Sequence, residues 1–193
     1  MGKTFIEVGS CDFNTLNNLA DEGWNGLIID PMEKYLKNIP KKKGVHYLPL
    51  AIDHVKGERT IYYASDRQVG WDRDWAGMST FLSKDERYWG HNIKNPSEDL
   101  LGCELLIKTD TFENIIEEYN IESIDFLKID TEGYDFEVIK SFPWKNTPLK
   151  PSLIKCEIDK LSSMDQMAIR KYLEDRSYHV YFEIHDLYAI KLK

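Results

Sequence analysis

The chain reads IDFLKIDTEGYDFEVIK from residue 124 to residue 140. A short apolar stretch at 126–129 ends in the acids Asp130 and Glu132, turns at Gly133 and continues with apolar residues at helical spacing. This pattern predicts a buried parallel strand that is followed by a crossover helix. Ligands of open α/β sheets bind beyond the carboxyl ends of the strands, so both acids are expected at a binding site.

The rest of the chain also alternates between strand and helix patterns. This alternation predicts an α/β protein with a doubly wound, mostly parallel sheet and helices on both faces. The last two strands are close in sequence, which predicts an antiparallel pair at the edge of that sheet. Strands are predicted at 4–8, 26–29, 46–52, 102–109, 126–129, 151–158, 178–184 and 187–192, with a short extra strand at 59–64, and helices at 14–22, 32–38, 111–119 and 163–176.

The length of the chain predicts its domain organisation. A chain of 193 residues fits one domain that spans residues 1–193. Residues 65–100 have no clear periodicity, and so long an irregular segment is typical of a binding loop. We therefore expect an insertion or loop on the substrate side at 65–100.

The composition excludes several kinds of partner. A formal net charge of -8 opposes binding to nucleic acid, which requires a clustered basic surface. No apolar run approaches the roughly 20 residues that span a bilayer, so no membrane partner is expected. The three cysteines are widely spaced and form no CxxC pair. This favours a reducing compartment and a cytoplasmic location, while nothing in the sequence indicates an oligomeric state.

The first predicted strand and its turn have features of a nucleotide-binding loop. Gly9 follows the strand and would let a ligand approach the backbone closely. Asp30 comes 21 residues later, at the end of the second predicted strand. A carboxylate at that place can accept hydrogen bonds from ribose hydroxyls, so the loop predicts a ligand that contains adenosine.

The residues around this loop indicate which adenosine-containing ligand is favoured. Cys11 and Asn14 stand where GxGxxG has its second and third glycines. The acids Glu7 and Asp12 would repel the pyrophosphate of a dinucleotide. S-adenosylmethionine has no phosphate and carries a sulfonium and an ammonium, so the acid-rich loop favours it.

Taken together, these segments resemble the FkbM-type methyltransferases, a branch of the class I S-adenosylmethionine-dependent enzymes. The similarity spans nearly the whole chain, and its most specific part is Lys128–Gly133. The resemblance implies a Rossmann-like, seven-stranded sheet with an antiparallel C-terminal strand. The matching segments are 6–10, 29–31, 50–52, 77–80, 109–112, 124–133, 156–157 and 186–190.

The resemblance also implies positions for the cofactor. Asp130 would lie near the amino group and the transferred methyl, and Asp30 would hold the ribose. One departure from the family is Phe13, which stands where a small residue is usual. The resemblance places Glu7 and Gly9 at the methionine end and Ile52 at the adenine. The remaining cofactor-binding residues implied are Ser10 and Pro31.

Candidates for catalysis and for binding the methyl acceptor lie near other strand ends. Asp130, Glu157 and His185 are candidate bases for removing the proton of the acceptor. His185 is equally compatible with an ordinary turn histidine. Glu132 is either an acid on the acceptor side or a residue that starts the next helix.

Two residues of the segment at 65–100 are candidates for contact with the acceptor. The resemblance places Ser79 near it, and Trp75 could stack on a sugar or an aromatic group. Alternatively, the tryptophans of this segment anchor the loop to the core.

The acids at the strand ends also permit a divalent metal. Asp130, Glu157 and Asp159 could supply oxygen ligands. Because their spacing is not specific for a metal, no metal is predicted.

The sequence therefore predicts a methyltransferase that uses S-adenosylmethionine and methylates a hydroxyl of a small molecule or a glycan. One alternative is an NAD-dependent oxidoreductase of Rossmann type, which would share the fold and Asp30. Another is a cofactor-binding relative that has lost catalysis and serves as an interaction module.

Overall fold

The computed structural model describes residues 2–13, 15–64, 78–86 and 101–192. The helices of these ranges are a short 3₁₀ helix at Asn17–Glu22, α1 (Glu33–Asn38), α2 (Phe112–Glu118), α3 (Asp135–Ser141) and α4 (Ser163–Glu174). The strands are β1 (Thr4–Val8), β2 (Asn25–Ile29), β3 (Val45–Leu48), β4 (Ala51–Ile52), β5 (Gly57–Tyr63), β6 (Ser79–Thr80), β7 (Cys103–Asp110), β8 (Phe126–Ile129), β9 (Leu153–Glu157), β10 (Tyr178–Glu183) and β11 (Asp186–Lys191).

Seven of the described strands form one mostly parallel sheet, which confirms the predicted α/β architecture. Their order is β3-β2-β1-β8-β9-β11-β10. The pairs within β3-β2-β1-β8-β9 are all parallel, and β11 is antiparallel to both of its neighbours. Strands β1 and β8 therefore lie side by side at the centre, although more than one hundred residues separate them in sequence.

The closing antiparallel pair of β10 and β11 lies at the edge of the sheet, as the sequence predicts. Strand β11 lies between β9 and β10, so β10 forms the edge. The side chains explain this order. Leu187 and Ala189 of β11 are fully buried, whereas Tyr181 and Phe182 of β10 are each 41% exposed. The strand with the more apolar positions thus takes the interior place.

The strand predicted at 46–52 is divided between two sheets. Pro49 has no backbone N–H to continue the ladder, and the chain turns between β3 and β4. Strand β4 then joins a second sheet of the described ranges, with the order β4-β7-β5-β6. The predicted strands at 59–64 and 102–109 also belong to this second sheet, as the antiparallel pair β5 and β7.

The described helices agree with the predicted ones except at the first. The prediction at 14–22 gives only a 3₁₀ helix, which ends as expected at Gly23 in the left-handed conformation (φ 82°). Of the helices in the described ranges, none has the length and apolarity that spanning a bilayer requires.

The junction of β1 and β8 requires a glycine at residue 9. Gly9 has φ 78°, and a Cβ at this position would lie 1.7 Å from the carbonyl oxygen of Asp130. The backbone on both sides is already hydrogen-bonded, since Gly9 N donates to Ile29 O and Asp130 N donates to Val8 O, each at 2.9 Å. The two strand ends therefore approach as closely as their backbones permit.

We expect Gly9→Ala to lower the free energy of unfolding by about 2–4 kcal/mol, because the methyl group would force β1 and β8 apart. Urea unfolding followed by circular dichroism would measure the change. The matched control is Gly57→Ala, whose Cβ would meet nothing within 4 Å, and whose effect should stay within about 0.5 kcal/mol. Equal effects of the two substitutions would contradict the packing argument.

Candidate functional site

A cleft with an empty volume of about 740 Å³ lies beyond the carboxyl ends of β1, β2 and β8. The central sheet contributes Gly9 after β1, Asp30 and Pro31 after β2, and Asp130 and Glu132 after β8. The acids of the opening stretch are thus on a cleft wall, as their position in the sequence predicted.

The second sheet forms the opposite wall of the cleft. Ile52 of β4 and Ile61 of β5 supply apolar surface, while Ser79 and Thr80 of β6 supply hydroxyl groups. Phe81 follows β6 and also lines this wall. Ile52 and Ser79 were both predicted near a ligand, and the structure places both on the cleft. Trp75 lies outside the described residues.

A buried lysine joins the ends of β1 and β8. Lys128 Nζ lies 3.1 Å from Glu7 Oε1 and 3.2 Å from Asp130 Oδ2. Burial by itself lowers the pKa of Lys128, but the two carboxylates outweigh it and raise that pKa. Burial raises the pKa of Glu7, and the ammonium of Lys128 partly offsets this. The lysine is therefore charged and fixes the position of both acids.

Glu7 lies beneath the first loop and not on the cleft wall. Its side chain is fully buried, and Leu16 N donates to its Oε2 at 3.1 Å. Ser10 is likewise buried, and its hydroxyl donates to Cys11 O. Of the predicted cofactor-binding residues Glu7, Gly9 and Ser10, only Gly9 lines the cleft.

Asp30 holds the loops after β1 and β2 in place. Cys11 N donates to its Oδ2 at 2.7 Å, and Met32 N donates to its Oδ1 at 2.8 Å. Burial raises the pKa of Asp30 to about 6, although these backbone N–H groups oppose the rise. Each carboxylate oxygen can accept more than one hydrogen bond, so Asp30 can also bind a ligand in the cleft.

The turn after β8 directs Glu132 toward the cleft. Glu132 and Gly133 both adopt positive φ, at 54° and 98°. Asp135, at the start of α3, is fully buried and accepts hydrogen bonds from Thr131 N and Gly133 N, each at 3.0 Å. Asp135 thus fixes the turn that precedes α3, and the N-cap residue Tyr134 makes no side-chain capping hydrogen bond. Glu132 lines the cleft instead of starting the helix, which was one alternative for it. The sequence feature that could have identified Asp135 is an acid in the first helical turn, two residues after Gly133.

Three carboxylates come together where β8 and β9 end, and we call Asp130, Glu132 and Glu157 the acid cluster. One oxygen from each lies within 4.8 Å of the others. Burial, together with the neighbouring acids, raises the pKa of Glu132 to about 7 and that of Glu157 to about 10. The structure therefore brings together the predicted residues Asp130, Glu157 and Glu132.

His185 does not reach this group. It occupies the exposed turn between β10 and β11, and its Nδ1 is hydrogen-bonded to Asp159. Neither residue lines the cleft. Asp159, which was considered as a metal ligand, is thus engaged with His185 outside the acid cluster.

A polar network that sequence reasoning did not identify connects the two walls. Arg59 Nη1 on β5 donates to the Tyr134 hydroxyl at 2.7 Å and to Asp53 Oδ2 at 3.0 Å. The Tyr134 hydroxyl donates to Asp53 Oδ1 at 3.0 Å. The guanidinium also lies over the rings of Phe81 and Tyr134. This network ties the second sheet to the turn that carries Glu132.

Comparison with known proteins identifies the family. A family model described as "Methyltransferase FkbM domain" matches residues 7–180. This range covers most of the chain, so the chain belongs to the FkbM methyltransferase family and is a methyltransferase. The resemblance predicted from the sequence is confirmed. No curated protein and no solved structure gives a significant match.

We expect Tyr134→Phe to lower the free energy of unfolding by about 1–2 kcal/mol, because Arg59 and Asp53 lose a buried hydroxyl partner. Thermal or urea unfolding would measure it. In the control Tyr181→Phe, the lost hydroxyl belongs to a side chain 41% exposed on the edge strand, so a change below about 0.5 kcal/mol is expected. No difference between the variants would show that the network does not brace the cleft.

Proposed function

We propose that this methyltransferase binds S-adenosylmethionine in the cleft at the strand ends and methylates a hydroxyl group of a small molecule or a glycan. The observation that supports this most directly is the charge of the cleft wall. Asp30, Asp130 and Glu132 line it, whereas no lysine or arginine does so among the described residues. A wall of this kind attracts a cationic ligand such as a sulfonium.

The order of the strands supports a Rossmann-like assignment of the central sheet. From β1 the chain continues to β2 on one side, and β8 pairs with β1 on the other. The strand order thus reverses between β1 and β8. Ligands of open α/β sheets bind at such a switch point, and Gly9 and Asp130 lie there.

The conformation of the first loop opposes the oxidoreductase alternative. A nicotinamide dinucleotide carries a pyrophosphate, which in this fold binds to a glycine-rich turn at a helix N-terminus. Here a left-handed Cys11 (φ 49°) follows Gly9, and the turn leads to a 3₁₀ helix. The family match and the cleft therefore both favour methyl transfer.

The residues of the cleft have separate tasks in this proposal. Asp30 accepts hydrogen bonds from the ribose, and Ile52 packs beside the adenine. When bound, S-adenosylmethionine would supply a methyl group for in-line transfer to an acceptor oxygen, with the sulfur as the leaving group. An alcohol loses its proton in this step, and Asp130 and Glu132 provide carboxylates on the cleft wall that can accept it.

Titration calorimetry with S-adenosylhomocysteine tests the proposal before the acceptor is known. We expect saturable binding with a dissociation constant below about 10⁻⁴ M. Absence of binding in that range would overturn the cofactor assignment. Binding without turnover on a broad panel of alcohols and glycans would favour the alternative of a non-catalytic module.

We expect Asp30→Ala to weaken S-adenosylhomocysteine binding by about 1–3 kcal/mol, because the ribose hydroxyls lose a buried carboxylate acceptor. Calorimetry would compare it with Asp175→Ala, which removes an acid of the same type from an exposed pair with Lys171. The control should bind like the unmodified protein. Unchanged affinity in Asp30→Ala would remove the ribose assignment.

The affinity for S-adenosylhomocysteine should also depend on pH. The pKa of Asp30 is about 6 in the free protein, and the ionised form accepts the ribose hydrogen bonds better. Protonation competes with binding, so affinity should be full above pH 6 and fall as the pH drops below it. Calorimetry across this range would show the fall, and Asp30→Ala should flatten it. A flat profile in the unmodified protein would contradict the role of Asp30.

A further inference from the structure

We propose that the acid cluster binds a hard divalent cation, such as Mg²⁺ or Mn²⁺, beside the cleft, where β8 and β9 end. Asp130, Glu132 and Glu157 each offer a carboxylate oxygen, and these oxygens lie within 4.8 Å of one another. Ligand oxygens at about 2.0–2.6 Å from an ion are separated by up to roughly 4–5 Å, so one ion can contact all three. Small rotations of the side chains would complete the site.

Buried oxygen atoms without partners point to the same place. Glu132 Oε2 and Glu157 Oε2 are shielded from solvent and accept no hydrogen bond within the described part of the chain. Thr131 Oγ1, on the residue between two members of the acid cluster, is also buried without a partner. Buried polar atoms are nearly always paired in folded proteins. Their concentration here is what a missing ligand would leave.

The neighbouring lysines compensate these acids only in part. Lys128 is shared between Asp130 and Glu7. Lys160 Nζ approaches Glu132 Oε2 only to 4.0 Å, which is too far for a hydrogen bond. Glu157 forms no ion pair in the ranges that the structure describes. A cation that contacts all three carboxylates would supply the charge that the lysines leave uncompensated.

The acid cluster is open on the side where a reaction would occur. The Asp130 side chain is 38% exposed, and both Asp130 and Glu132 line the cleft. Three protein ligands leave positions for water or for oxygen atoms of the acceptor. A bound cation would lower the pKa of an acceptor hydroxyl, so its proton is lost to water more readily. All-oxygen ligands favour Mg²⁺, Mn²⁺ or Ca²⁺ over zinc.

The role in methyl transfer rests on the proposed function, whereas cation binding itself does not. Mn²⁺ serves as the probe, because electron paramagnetic resonance reports the free ion and calorimetry reports the heat of binding. We expect one site per chain with a dissociation constant on the order of 10⁻⁴ M. Glu157→Gln and Glu132→Gln should each weaken it by at least about tenfold. Mg²⁺ should compete for the same site.

The matched control is Glu174→Gln, which removes the same charge from an exposed pair with Arg170 on α4 and should leave Mn²⁺ binding unchanged. Circular dichroism and urea unfolding would show that each variant is folded. No saturable Mn²⁺ binding, or an equal loss in Glu174→Gln, would overturn the site. S-adenosylhomocysteine binding without Mn²⁺ binding would refute only the cation site, and the reverse result would refute only the cofactor assignment.

Discussion

The ammonium group of Lys128 lies between carboxylates of two adjacent central strands, and the geometry of the cleft depends on it. Glu7 and Lys128 are directly opposite in the register of β1 and β8, and Asp130 follows the last residue of β8. A buried charge without a partner costs several kcal/mol. Neither strand can therefore shift without leaving a buried charge unpaired. The other oxygen of Glu7 holds Leu16, which extends this constraint to the first loop.

The sequence allowed the prediction of features that depend on neighbouring residues. The pattern of apolar residues identified the central strands. Because ligands bind beyond the carboxyl ends of parallel strands, the ends of these strands identified Asp30 and Asp130. Pairings between segments that are far apart in the sequence were harder to predict. The second sheet requires Ala51 to meet Thr109, and the acid cluster requires β8 and β9 to end together. Hairpin position alone suggested His185 as a base, but its contact with Asp159 keeps it outside the cleft wall.

Electrostatics gives the cleft its chemical character. The carboxylates on the cleft wall follow two strands, Asp30 after β2 and Asp130 and Glu132 after β8. Asp135 accepts the backbone N–H groups of the turn before α3, which leaves Glu132 available to a ligand. A cationic cofactor and a divalent cation would compensate different parts of the negative charge of these carboxylates. The first would lie near Asp30 and the switch point, and the second would lie beside the cleft, where β8 and β9 end.

The two walls of the cleft belong to separately hydrogen-bonded sheets, and this has an evolutionary consequence. The central sheet carries the residues assigned to the cofactor's ribose and methyl group, whereas β5 and β6 carry Ile61 and Ser79 on the facing wall. Insertions between the strands of the second sheet would leave the ladder of the first unbroken. Selection could therefore exchange one acceptor for another by remodelling β5 and β6, while the central sheet and Ile52 of β4 keep the residues assigned to the cofactor.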